Sequence, residues 1–349
     1  MEREMSITIK PTLACNMKCR HCFNGDLAKN NRIHSIEEAC KFLMLVAEKY
    51  KDIAVTFHGG EPTLAGYEYY NAIFNMQEKL SKEKNVHFHN SITTNGLLLD
   101  NTKLVELFIY NDVLFNVSFD GPYNYVLREH SDNVYLNIKN IQNKGGKIRI
   151  YCIISEESHE HIIEIYEWFK KEKLDFKLIP VRPVGIAEIN SDIIMDKKSF
   201  VNRLMEAYIY WLEDKEKLIH CFTFEEFVTL KNEVQFKDYW FFRKLALNPD
   251  GKIYPFGRPN DINYSLGHVM NIHSIMECYK KEKYKKLLED LQEMKREFCK
   301  NCTSKTVCGG VTLFSTFVYG DDIHMLRYSC ELSNMIFQNI IKINKNYKL

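Results

Sequence analysis

The segment Ser6-Ile-Thr-Ile-Lys10-Pro-Thr-Leu-Ala-Cys15-Asn-Met-Lys-Cys19-Arg-His-Cys22 decides how the rest of the chain reads. Residues 6–10 alternate in the β-branched manner of a strand and run through Pro11 into a loop. Three thiols then follow at CxxxCxxC spacing. Three thiolates can hold three irons of a 4Fe–4S cluster and leave the fourth iron without a protein ligand, open for chemistry. The competing reading is a structural zinc knuckle. The motif lies just past the C-terminal end of a first strand, where α/β folds bind ligands.

Moving outward, Ser35-Ile-Glu-Glu38 is a capping-box signal that opens an apolar helix ending near residue 50, with Cys40 inside it as a packing residue. A second strand over residues 53–57 ends in His58-Gly59-Gly60-Glu61-Pro62. Its glycines let backbone come close to a ligand, and Glu61 offers a carboxylate to an ammonium group. Helices near 67–82, 101–109, 134–144 and 159–171 then alternate with strands near 86–93, 113–119, 147–154 and 176–181. Six such units predict an α/β fold, a partial (β/α)6 barrel with a parallel sheet. Polar residues recur after the strands, at Glu61, Asn95, Asp120, Ser155 and Arg182, so one mouth would gather them.

A helix over residues 199–217 carries a core face, and after it the alternation stops. This divides the chain into an expected barrel, residues 1–215, and an expected small C-terminal cysteine-rich domain, residues 216–349. Residues 247–254 read as a hairpin, and residues 280–295 as a lysine-rich helix with a solvated face. Next comes Cys299-Lys-Asn-Cys302-Thr-Ser-Lys-Thr-Val-Cys308-Gly-Gly, with Cys330 beyond it. Four thiols in that pattern make a closed site, suited to a 4Fe–4S cluster or to structural Zn²⁺.

The bulk properties exclude several classes. Lys+Arg 47 against Asp+Glu 46 gives a net charge of +1, so no global field points to nucleic acid or to a membrane surface. The N-terminus lacks the order of a signal peptide, and no apolar run approaches the ~18 residues of a membrane span. A cytoplasmic location is expected. There, 11 cysteines point to metal or redox work rather than to disulfides.

With CxxxCxxC, GGEP, TTNG and Ser118-Phe-Asp120-Gly121 in view, the chain resembles the radical S-adenosylmethionine superfamily. Its C-terminal part resembles the SPASM/twitch extension of peptide- and protein-modifying maturases. The resemblance implies that Cys15, Cys19 and Cys22 bind the cluster and that S-adenosylmethionine chelates its open iron. It further implies that His21 lies near adenine, that Glu61 with Gly59 and Gly60 meets the methionine ammonium, and that Ser118 and Arg128 help hold the methionine and ribose portions. One-electron reduction would then give a 5′-deoxyadenosyl radical that removes hydrogen from substrate. Cys299, Cys302, Cys308 and Cys330 would complete one auxiliary 4Fe–4S cluster.

The departures from the family pattern matter. Phe256 stands where a cysteine of a further auxiliary site is expected, Gly257 where sulfatase-maturing relatives place a catalytic acid, and Thr312 where another cysteine would fall. The first auxiliary site is therefore expected to be missing. Only a short strand precedes Cys15, so no winged-helix leader-binding domain is expected there. The preferred function is hydrogen abstraction from a ribosomal peptide or protein, giving a cross-link or an epimer, with Cys221 as a candidate hydrogen donor. The expected partners are the peptide or protein substrate and a reductant such as flavodoxin or ferredoxin. The alternatives are a sulfatase-maturase-like or small-molecule radical enzyme, and a non-enzymatic metal-binding or electron-transfer adaptor.

Overall fold

The computed structural model describes residues 4–230, 244–257, 261–317 and 322–348. Strand β1 (Glu4–Ile9) pairs in parallel with β2 (Asp52–Phe57), with Ile9 opposite Phe57. Strands β3 (His87–Thr94), β4 (Leu114–Ser118), β5 (Ile148–Ile154) and β6 (Phe176–Pro180) continue the parallel run. The crossovers are the helices α1 (Ile36–Ala47), α2 (Gly66–Lys84), α3 (Thr102–Tyr110), α4 (Ser131–Asn143) and α5 (Ile162–Glu172). The six-strand parallel sheet expected from the sequence is present.

Each strand buries one face under the helices. Ile53, Val55 and Phe57 are fully buried, and an aromatic ladder runs from Phe57 to Tyr70, Phe108 and Phe115 at centroid separations of 5.1, 4.8 and 5.8 Å. Burial of each such side chain contributes about 1.5–3 kcal/mol. The capping box at α1 forms as predicted: Glu38 N–H donates to Ser35 Oγ at 3.1 Å, and Ser35 N–H donates to Glu38 Oε2 at 2.6 Å.

The sheet has eight strands, because β7 (Leu245–Leu247) pairs in parallel with β1 and β8 (Ile253–Pro255) folds back on β7. The predicted hairpin thus continues the barrel sheet across the edge of β1. Helix α6 (Lys197–Glu213) packs beside α5, and α7 (Phe222–Val228) lies on β6. The lysine-rich helix α8 (Glu282–Cys299) buries Tyr284, Leu287 and Leu291 and runs straight into the second thiol group.

Helix α9 (Val311–Phe317) follows Cys308 and reaches both edges of the sheet. Arg182, just past β6, donates to Thr316 Oγ1 at 3.3 Å, while Phe317 meets the Tyr264 ring beyond β8 at 5.7 Å. The last helix, α10 (Ile323–Tyr347), returns over α6, where Tyr208 donates to Asn344 Oδ1 at 2.7 Å. Among the described residues no helix is long and apolar enough to cross a membrane.

Candidate functional site

The loop that carries Cys15, Cys19 and Cys22 is held from several sides. Cys15 N–H donates to Ala28 O at 3.2 Å, and Arg20 N–H donates to Leu127 O at 3.0 Å. Ile186 N–H donates to Cys22 O at 2.9 Å. Gly59 and Gly60 sit directly against the backbone that leads into Cys15. A Cβ on Gly59 would overlap Thr12 O, and one on Gly60 would overlap Leu13 O and Ala14 O. In this structure the immediate neighbour of the two glycines is the thiol loop itself, clamped by Gly60 N–H to Thr12 O at 3.1 Å and Glu61 N–H to Ala14 O at 2.7 Å.

Glu61 is fully buried. Its Oε1 accepts from Thr63 N–H at 3.0 Å, Thr63 Oγ1 at 2.6 Å and Thr94 Oγ1 at 2.8 Å, and its Oε2 accepts from Asn95 N–H at 2.7 Å. Burial raises the carboxyl pKa, and these donors hold it down in part. The carboxylate therefore ties the end of β2 to the end of β3. Asn95, one of the polar residues that follow the strands, uses its Nδ2 on Cys15 Sγ at 3.6 Å and on Asn16 Oδ1 at 2.8 Å.

Across the mouth, Arg128 is 8% exposed and pairs through Nε with Asp120 Oδ2 at 2.9 Å. Its Nη1 lies 3.7 Å from Cys19 Sγ and its Nη2 3.3 Å from His21 Nε2. Asp120, 1% exposed, also accepts from Ile153 N–H at 2.7 Å. Burial pushes the Cys19 thiol up to about 11, against the pull of the Arg128 guanidinium. A guanidinium only donates, so His21 Nε2 is the acceptor and its Nδ1 carries the proton; that Nδ1 is buried with no partner among the described residues. Ser118 ends β4 on the concave face, half-buried and level with Tyr151 of β5.

These residues fit a cluster with a cofactor beside it. Three thiols lie in one another's electrostatic field, two N–H donors are aimed at their sulfurs, and one buried donor is left over. Asp120, which the sequence placed at the mouth without a role, is the ion-pair partner of Arg128. Its signal was its place after β4, and its partner Arg128 lies eight residues on.

The second group also assembles. Cys330 lies within the electrostatic reach of Cys308, Cys299 and Cys302, and burial with these thiols pushes its pKa up to about 12. The Cys308 thiol donates to Thr312 Oγ1 at 3.4 Å, so the residue in place of a cysteine is a hydroxyl partner of the thiol. Phe256 is 1% exposed and packs on Tyr284 at 6.2 Å. A cleft lined by Cys302, Cys330, Arg327 and Asn334 opens the thiol set to solvent. Among the described residues no three His, Cys, Asp or Glu side chains converge on a single-ion position.

Two expected positions stand apart. Cys221 is 0% exposed and bridges to Phe176, the first residue of β6, at the opposite end of the sheet from the mouth. Burial raises its thiol far above the ordinary range, as befits a packed core thiol. At Gly257 (φ +88°) the Lys244 stem lies 2.9 Å, and Thr8 Oγ1 3.1 Å, from where a Cβ would stand. Space that a side chain would occupy is taken by these two residues.

The model of the radical SAM superfamily matches residues 9–169. A cysteine-type anaerobic sulfatase-maturating enzyme of Clostridium perfringens is 24% identical over 377 aligned positions, covering 99% of both chains. The solved structure described as native anSMEcpe with bound AdoMet and Cp18Cys peptide superposes with a TM-score of 0.81 at 21% identity over 99% of each chain. Streptococcus suis SuiB bound to S-adenosylmethionine gives 0.57 at 19% identity, covering 82% of this chain and 66% of that one. Residues 9–169, with their three thiols at the mouth of a partial parallel barrel, carry a radical SAM domain.

Proposed function

We propose that this protein is a radical S-adenosylmethionine maturase that abstracts hydrogen from a cysteine-bearing segment of a protein substrate, a reading supported by its likeness to a cysteine-type anaerobic sulfatase-maturating enzyme. The observation that carries the reading is the full-length match to such a maturase, from the Cys15 loop through the Cys299–Cys330 thiol set. This displaces cross-linking or epimerisation as the first choice. One observation keeps those reactions as a second reading: Gly257 supplies no carboxylate at the position where the family resemblance implies an acid.

In this reading Cys15, Cys19 and Cys22 hold the cluster, and the bound cofactor supplies the hydrogen-abstracting radical. Arg128 sets positive charge beside Cys19, and Asn95 steadies Cys15. His21 Nδ1–H, Ser118 and the remaining lone pair on Glu61 Oε2 face the cofactor side, and Gly59 and Gly60 seat the loop. Residues 1–215 form the radical core, and residues 216–349 carry the second thiol set. That set holds an auxiliary 4Fe–4S cluster, and an external one-electron donor protein reduces the enzyme.

The test is anaerobic incubation of the reconstituted, reduced protein with S-adenosylmethionine and the Cp18Cys peptide, with a serine counterpart alongside. Formation of 5′-deoxyadenosine together with an aldehyde at the cysteine supports the maturase reading. Loss of two hydrogens, or inversion of a residue at unchanged mass, supports the second reading. An untouched peptide while a small metabolite is consumed overturns both.

A further inference from the structure

Two polar side chains stand against sulfurs of the second thiol set. Thr312 is the second residue of α9, four positions after Cys308. It is 7% exposed, and the hydrogen-bond partner of its hydroxyl among the described residues is Cys308 Sγ, at 3.4 Å. Asn334 lies on α10 four residues after Cys330, so the two side chains share one face of that helix. Its Oδ1 stands 3.6 Å from Cys302 Sγ and 3.0 Å from Thr303 Oγ1. Cys302, Cys330 and Asn334 line the same cleft, a space of about 320 Å³.

With free thiols, the sulfurs are the donors: Cys308 S–H to Thr312 Oγ1, and Cys302 S–H to Asn334 Oδ1. A sulfur that ligates iron is a thiolate and has no proton to give. Two oxygens would then face two anionic sulfurs, and each residue can reverse its bond with the backbone in place. The Thr312 hydroxyl rotates and donates O–H. The Asn334 amide turns over, exchanging Oδ1 for Nδ2 at nearly the same volume. Its two N–H groups then serve Cys302 Sγ and Thr303 Oγ1, and Thr303 Oγ1 keeps the bond that it accepts from Gln338.

Other bonds already hold this loop. Ser304 Oγ donates to Asn334 O at 3.4 Å, and Cys308 N–H donates to Ser304 O at 2.8 Å. The first thiol set has the same device, with Asn95 Nδ2 3.6 Å from Cys15 Sγ. Donors to cluster sulfurs favour the reduced state, which carries the extra negative charge, and so raise the reduction potential.

We propose that Thr312 and Asn334 are positioning residues of the auxiliary cluster, which donate O–H to Cys308 and N–H to Cys302 and raise its reduction potential. Thr312 occupies a position where the family resemblance implies a cysteine, so here that position supplies a donor to one cluster in place of a ligand to another. The proposal rests on the auxiliary-cluster reading given above.

The test is a redox titration of the reconstituted full-length protein, following by spin resonance the reduced-cluster signal that S-adenosylmethionine does not perturb. Thr312→Val removes the hydroxyl at nearly equal volume, and Asn334→Leu removes the amide. Each is expected to lower the reduced-to-oxidised ratio of that cluster about tenfold at a fixed solution potential, a shift of about 59 mV for one electron. Iron content is expected to match wild type. Thr312→Ser keeps the hydroxyl and is expected to titrate with wild type. After exchange into heavy water, the wild-type signal is expected to carry deuteron couplings that each of the first two variants diminishes.

Either variant decides alone if the other does not take up iron, and a wild-type signal with no exchangeable deuteron coupling overturns the proposal by itself. Iron-loaded variants that titrate within about twofold of wild type overturn it and leave the auxiliary cluster standing. So does an equal shift in Thr312→Ser and Thr312→Val. Zinc at this site in wild type overturns the auxiliary-cluster reading and the proposal with it, while the signal perturbed by S-adenosylmethionine still reports the first cluster.

Discussion

Cutting the Arg128–Asp120 pair is the most demanding test of the mouth. Both side chains are almost fully buried, at 8% and 1% exposure, and Arg128 touches Cys19 and His21 besides its carboxylate. Arg128→Met would leave Asp120 with Ile153 N–H and no counter-charge. Stranding one partner of a buried ion pair costs about 3–5 kcal/mol. At roughly 2 °C of Tm per kcal/mol for a chain of this size, the expected drop is about 6–10 °C. The Asp120→Asn, Arg128→Met double variant removes the stranded charge and is expected to recover most of the loss. Thermal melts of the four proteins of this cycle, with S-adenosylmethionine binding to each, decide the matter. A drop below about 1 kcal/mol for Arg128→Met, or simple additivity in the double variant, would refute the claim that the pair is a coupled buried unit. If the double variant regains stability yet still binds the cofactor weakly, Arg128 has a role at the site beyond the fold.

Other expectations follow from particular contacts. His34 is buried, with its ring nitrogens on Tyr69 OH at 2.5 Å and Asn248 O at 3.3 Å, and burial holds its imidazole down to about 4. Its folded pKa lies below its unfolded value, so the stability it confers is complete above about pH 6.5 and is lost as pH falls toward 4. The full drop is about 3 kcal/mol, read by urea melts across that range, and His34→Gln should flatten the profile. Gly60→Ala would drive a methyl into two loop carbonyls, so iron loading at the first cluster is expected to fall while the C-terminal cluster still fills. Cys330→Ala is expected to lower iron from about eight to about four per chain while the reduced signal perturbed by S-adenosylmethionine survives. Zinc in the wild-type C-terminal site would contradict the auxiliary-cluster assignment.

The amino-acid sequence alone determined what depends on neighbours along the chain. The CxxxCxxC spacing, the Ser35–Glu38 capping box and the six strand-helix alternations are short-range patterns, so they read directly as a thiol loop, a helix start and a parallel sheet. The Cys299, Cys302 and Cys308 spacing was legible for the same reason, whereas Cys330 is brought near them from a distant part of the chain. Tertiary structure alone decided the contacts made across long stretches of chain. Arg128 reaches Cys19 over 109 residues, and Asn95 reaches Cys15 over 80. Gly59 and Gly60 proved to be the seat of the thiol loop, because the parallel register of β1 and β2 sets Ile9 level with Phe57 and so brings the glycines against Thr12 and Ala14. Likewise β7 joins the free edge of β1, where Lys10 N–H finds Leu247 O at 2.9 Å, and α9 spans from Arg182 to Tyr264. A one-dimensional pattern carries periodicity and local capping. It does not carry which buried donor lacks an acceptor, and only the assembled mouth leaves His21 Nδ1 without one among the described residues.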